Sequence, residues 1–130
     1  MKTLKTLMFL AIVGFCSLCS LSSYADGKTN LMYNDEEVDG QLVGQTVYRE
    51  EGGLLTPHLR HAYTYDEQGR VAAIETQRWD QVGQQWQPEV LMQHSYEGRS
   101  VTTDYFRWDK RQAAYLYVPG MTVTMDYIGE

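Results

Sequence analysis

The sequence predicts an all-β protein, an antiparallel meander of about six to eight strands built from repeated hairpins in a single curved, open sheet. Three observations lead there. Apolar and polar residues alternate with period two, as in Leu54 to Tyr65 and Met121 to Tyr127. Turn residues punctuate the chain at short intervals, at Gly52-Gly53, Asp66 to Gly69, Asp80 to Gly83 and Gly98. No stretch after residue 25 combines a 3.6-residue period with helix caps, so no helix of consequence is expected.

Taken in order, the chain opens with a leader. Lys2 and Lys5 precede an apolar run from Leu7 to Leu18, too short to span a bilayer, and Ser23-Tyr24-Ala25 sets small residues before a cleavage point at Asp26. Residues 1–25 are therefore expected to be a cleaved signal peptide, which makes the protein exported, to the periplasm or beyond the cell. Its removal takes two lysines and no acid, so the formal charge moves from −6 to −8. Both cysteines, Cys16 and Cys19, go with it, leaving a mature chain without disulfides or thiol chemistry. Residues 26–39 are acidic and read as a loosely ordered lead, with a short edge strand as the alternative. A single all-β domain is expected over 40–130.

Within that domain Gln41 to Glu50 is rich in β-branched residues, and Leu54 to Tyr65 follows after Gly52-Gly53. Asp66 suits the first position of a type I turn and Gly69 the left-handed position that returns the chain. Arg70 to Trp79 and Gln84 to Tyr96 form the next pair around a second Asp-x-x-Gly turn, Asp80 to Gly83. Pro88 cannot donate to a ladder, so it should sit at an edge or a bulge. Glu97-Gly98 marks a two-residue hairpin. Arg99 to Trp108, Gln112 to Val118 and Met121 to Tyr127 close the chain, broken at Pro119-Gly120.

Part of this repeats. Gly69-Arg70 and Gly98-Arg99 lie 29 residues apart, as do Arg78-Trp79-Asp80 and Arg107-Trp108-Asp109. Around Tyr63-x-Tyr65-Asp66-x-x-Gly69-Arg70-Val71 the chain resembles the Tyr-Asp repeat of Rhs-type and teneurin-type shell proteins, with a shortened echo at Tyr96-Glu97-Gly98-Arg99. A longer resemblance runs through Tyr65 to Val71, Arg78-Trp79-Asp80, Gln85 to Pro88, Tyr96, Asp104-Tyr105, Arg107-Trp108-Asp109 and Ala114-Tyr115. It is to the small exported Bacteroides-type proteins of the domain of unknown function 3836 family. That resemblance implies an all-β secreted protein and brings no activity or site.

Residues able to carry chemistry are few. His58 and His61 are three apart on a predicted strand and face opposite ways, and no third ligand is spaced to join His61 and His94, so no metal is expected. Asp66, Asp80 and Asp109 open turns, where a carboxylate has a local task. No nucleophile elbow surrounds Ser95 or Ser100. No catalytic residue and no cofactor is therefore expected, and the acidic charge argues against nucleic acid and anionic membranes. No membrane span remains after the leader.

Tyrosine and tryptophan are the positive anomaly, because each brings a wide apolar face with a polar tip. Trp79, Trp86, Trp108, Tyr63 and Tyr105 are the candidate partner contacts, against the alternative that they only build cross-strand ladders. The expected function is binding of a protein or an envelope glycan through an aromatic face or a sheet edge; self-association, down to a homodimer, is the alternative. Turn chemistry yields the first test. Gly69→Val should cost roughly 1–2 kcal/mol or more in denaturant melts, and Glu67→Ala less, since only position 69 needs the left-handed conformation. Equal losses would show the turn to be misread.

Overall fold

The computed structural model of the chain describes residues 22–26 and 29–126, so most of the expected leader, and Tyr127, lie outside the described residues. Within it, β1 (Ser22–Asp26), β2 (Thr29–Val38), β3 (Gln41–Glu51), β4 (Leu54–Tyr65), β5 (Val71–Asp80), β6 (Gln85–Glu97), β7 (Ser100–Asp109), β8 (Ala114–Tyr117) and β9 (Val123–Asp126) form one sheet. Strands β1 to β8 pair in sequence order, all antiparallel, and the sheet stays open. The described residues contain no helix, and none therefore long and apolar enough to cross a membrane.

One expectation about strands is corrected. Where a loosely ordered lead was expected over 26–39, β2 runs for ten residues and pairs with β3 from Asn30↔Glu50 to Val38↔Gln41. Its acids are accommodated individually: the Gln45 side-chain amide donates to Asp35 Oδ1 at 2.8 Å. At the other end, β8 and β9 do not pair with each other. Both β8 and β9 lie along the same outer edge of β7, β8 against Phe106 to Asp109 and β9 against Ser100 to Thr103. The Val118 amide donates to the Tyr105 carbonyl at 2.9 Å, so the edge strand continues to that point. It then breaks at Pro119-Gly120, where proline offers no donor and Gly120 takes φ +89°.

All three prolines mark such places. Pro57, Pro88 and Pro119 are spaced 31 residues apart. Pro57 pairs with Tyr48 while Leu59 pairs with Val47, leaving His58 as an extra residue in β4. Pro88 pairs with Gln77 while Val90 pairs with Thr76, leaving Glu89 extra in β6. Pro88 thus sits at a bulge inside the sheet rather than at its edge.

The turns show which local rules govern. Asp66 Oδ1 accepts from the Gln68 and Arg70 amides at 2.9 Å each, and the Gly69 amide donates to the Asp66 carbonyl at 3.1 Å. Gly69 has φ +78°, the conformation its sequence position requires. The second Asp-x-x-Gly stretch differs. There the left-handed residue is Gln84 at φ +52°, not Gly83; at Gly83 a Cβ would lie 2.8 Å from Asp80 Oδ2, so a side chain there would make the aspartate shift. The Asp109 loop matches it, with Ala113 left-handed and Asp109 Oδ1 accepting from Arg111 and Gln112. The hairpin expected at Glu97-Gly98 turns one residue later, around Gly98-Arg99, with Glu97 opposite Ser100 and glycine first, as in a type II′ turn.

A one-layer sheet leaves little to bury. Val47, 3% exposed, is the buried apolar side chain of the described residues, joined by Thr46 and Thr76. Stability must come from the ladders and from bonds that lock neighbouring strands. Two tyrosines provide matching locks. Tyr65 on β4 donates its hydroxyl to the Leu42 carbonyl on β3 at 2.5 Å, and Tyr96 on β6 donates to the Val71 carbonyl on β5 at 2.8 Å. Each acceptor adjoins a register shift, at Val43 and at Ala72, where the ladder cannot occupy every carbonyl. Arg70 ties consecutive hairpins together, its guanidinium 4.1 Å above the Tyr96 ring and its Nε 2.8 Å from Asp66 Oδ2. Tyr65→Phe and Tyr96→Phe should each lower stability by about 1 kcal/mol. Tyr115→Phe, which removes a buried hydroxyl without a hydrogen-bond partner, should lower it by less or raise it. Urea melts of the three variants compare these directly.

Candidate binding surface at the tryptophan end

Strand alternation and register sort the aromatic residues between two faces. A row of directly opposed residues crosses β4 to β7 as Tyr63, Ile74, Met92 and Tyr105. Tyr63 and Tyr105 belong to this face. Trp79 lies five residues beyond Ile74, and Trp108 three beyond Tyr105, so both point to the other side. Trp86 is directly opposite Trp79 and shares its face. The five candidate contacts are therefore not one surface: the three tryptophans are gathered, and the two tyrosines are separated from them by the thickness of the sheet.

Burial divides the same way. Along β4, His61, Tyr63 and Tyr65 are half-buried and Arg60, Ala62 and Thr64 exposed. Along β7 near its end the order reverses, with Phe106 and Trp108 half-buried around an exposed Arg107. On the tryptophan face three pairs pack edge to face: Trp79 with Trp86 (centroids 5.1 Å apart), Trp108 with Tyr115 (5.0 Å) and Phe106 with Tyr117 (5.7 Å). Each joins residues directly opposed across neighbouring strands, so these rings are cross-strand ladders as well as partly open surface. Burial, followed by the neighbouring Glu75 carboxylate, pushes the Tyr115 hydroxyl up to about 12.

Beside them the ends of β5, β6 and β7 enclose an open cleft of about 470 Å³. Both copies of the Arg-Trp-Asp repeat reach this part of the sheet, and Arg78, Trp79, Arg107 and Trp108 line the cleft together with Pro88 and Glu89 from the bulge between them. Arg78 Nε is 2.8 Å from Glu89 Oε1. Arg107 and Lys110, which also line it, have no acidic partner among the described residues. Sequence reading noted the repeated Arg-Trp pair but missed the arginines as site residues. The available signal was their spacing, which sets the two copies on strands flanking β6.

The histidines belong to the tyrosine face or its bulge. The ring Nδ1 of His61 lies 2.9 Å from Thr76 Oγ1, and that of His94 lies 2.8 Å from Thr103 Oγ1. Burial lowers the pKa of both. His58, the extra residue in β4, is lowered by burial and then by the Arg49 and Arg78 charges, against an upward pull from Glu89. No group of three His, Cys, Asp or Glu side chains among the described residues could hold a metal. Tyr63 is raised by burial, then by Asp35 and Tyr65. Partial burial pushes the Asp66 carboxyl upward, but the Arg70 and Gln68 hydrogen bonds outweigh it and hold the group below the usual carboxylate range.

These directions fix a pH dependence. A histidine lowered on folding takes up its proton more readily unfolded, so stability is lost as pH falls through and below 6.5. Asp66 acts only lower, its stabilisation being lost as pH drops below its ordinary value of 3.8. The melting temperature should therefore fall between pH 7.5 and pH 5 (roughly the histidine range), and the drop should shrink in His61→Asn/His94→Asn. Calorimetry at both pH values checks this.

The profile of a family described as a family of unknown function, DUF3836, matches residues 1–126. A DUF3836 family protein from Bacteroides vulgatus, solved by crystallography, is 38% identical; its match covers 74% of this chain and 98% of that one, with a TM-score of 0.71. A DUF3836 family protein from Parabacteroides distasonis is 24% identical, covering 75% of this chain and 91% of its own, with a TM-score of 0.68. A protein with unknown function from Bacteroides fragilis, 21% identical over 69% of this chain and 67% of its own, has a TM-score of 0.64. The last two share the fold. No curated protein matches the chain.

Proposed function

The chain belongs to the DUF3836 family, a family of unknown function, and from that premise we propose that it is an exported, non-enzymatic protein that binds a protein or glycan of the cell envelope through the tryptophan end of its sheet. One observation carries the reading. Trp79, Trp86 and Trp108 share a face at one end, half-buried rather than buried, beside an open cleft. Rings left partly open in that way suit stacking on a sugar or on a partner's apolar side chains. A binding role is favoured over catalysis because the polar residues have local partners: His61 and His94 bond threonines, and Asp66 and Asp109 bond turn amides. Export rests on the apolar leader and its small-residue cleavage pattern.

A second reading, self-association, is favoured by apolar side chains left in water at the margins. Leu54 is 73% exposed, Met125 on the edge strand 60% and Val123 52%. A glycan array separates the classes. Wild-type protein should bind, and Trp79→Ala, Trp86→Ala and Trp108→Ala, each checked for folding by circular dichroism, should bind about tenfold less. No captured glycan would move the partner to protein. Light scattering over a concentration series decides the second reading: mass rising with concentration supports it, a constant monomer removes it.

A further inference from the structure

We infer that removal of the leader uncovers the outer edge of β2 over Thr29 to Tyr33, and that β2 of a second copy pairs there, antiparallel, about a twofold axis at Leu31. The inference rests on cleavage before Asp26 and on self-association, the second function proposed above, for which it names the contact.

Two boundaries coincide. β1 covers β2 from Asp26↔Thr29 to Ser22↔Tyr33 and no further. Cleavage before Asp26 takes Ser22 to Ala25, four of the five residues of β1, and with them the pairing of Asn30 to Tyr33. β2 is still held on its inner side by β3, from Asn30↔Glu50 to Val38↔Gln41. It therefore stays extended, with the backbone donors and acceptors of its outer side left without a strand.

That edge is guarded unevenly. Residues 34–38, beyond the reach of β1, carry Asp35, Glu36 and Glu37, and charge on an edge strand discourages pairing. Thr29 to Tyr33, the part the leader covers, holds no charge. The opposite margin is blunted in another way: β8 and β9 are four residues each and are separated by the break at Pro119-Gly120. Short edge strands give a second chain little to pair with. Processing thus exposes the one neutral stretch of a ten-residue edge strand.

Symmetry and charge choose the occupant. With the axis at Leu31, Thr29 pairs with Tyr33 and Asn30 with Met32 of the other copy, while Leu31 meets its counterpart. The acids of each strand then run past this five-residue overlap, so none faces another. An axis at Asp35 or Glu36 would set acid against acid, which is unfavourable. Leu31 and Tyr33 share a face of β2, so four apolar side chains from the two copies meet across the axis. The same span is donor and acceptor, and no other protein is needed to fill it.

Light scattering compares the protein beginning at Asp26 with one beginning at Ser22, which keeps β1. Concentrations should reach about 1 mM, because five residue pairs make a weak contact. The shorter form should rise to twice the monomer mass and the longer form stay a monomer. Asn30→Lys sets a charge in the neutral stretch, opposite Glu50, and should hold the shorter form monomeric with an unchanged circular dichroism spectrum. Met125→Lys, at an exposed position on the opposite margin, should leave it dimeric. Monomers of both forms overturn the inference and the self-association reading together. Dimers of both forms, or a dimer lost in Met125→Lys and kept in Asn30→Lys, overturn the inference alone and move the contact off β2. Intact mass of the exported protein reads the premise separately: a chain still carrying Ser22 to Ala25 overturns the uncovering, whatever the purified forms do.

Discussion

Everything in this protein follows from building a domain as a single layer. A sheet with no helix or second sheet above it exposes both faces, and among the described residues Val47 alone of the apolar side chains is buried, at 3% exposure. The hydrophobic term, dominant in most domains, is spread thinly over half-covered rings. What remains is a hydrogen-bonded ladder, and its weak points are the bulges, where one strand carries a residue its neighbour does not match. The tyrosine hydroxyls of Tyr65 and Tyr96 go to carbonyls beside those points. The repeated unit is thus a way of locking one strand to the preceding one, and its side chains serve the ladder before they serve any partner.

Much of this was legible in the sequence, and the reason is locality. Turn chemistry acts over four or five residues, so Asp66, Gly69 and Gly52-Gly53 could be placed without knowing the fold. Period-two alternation gave the strands, and a proline inside one announced a bulge. Where locality fails, the reading failed with it. Asp80 to Gly83 resembles Asp66 to Gly69, yet the longer loop places its left-handed residue at Gln84. The acidic stretch beside Val38 reads as solvated lead until β3 supplies a partner strand.

The candidate site was legible only in part, for a related cause. A face assignment needs the parity of every residue along a strand, and each bulge reverses it. Tyr63, Tyr105 and the tryptophans read together as candidate contacts, but the extra residues at His58, Ala72 and Glu89 make their parity impossible to carry from strand to strand by counting.

The meander order also sets how the molecule bears load. Strands β1 to β8 are each bonded to their chain neighbours, β9 returns to β7 beside β8, and β1 and β8–β9 lie at opposite margins. A force applied across those margins passes through every ladder in series, so the weakest parts first, its bonded pairs opening one after another. Resistance to pulling would then be low and stepwise, punctuated where Tyr96 and Tyr65 clasp the strand before them. Such a sheet is a compliant element that yields one ladder at a time.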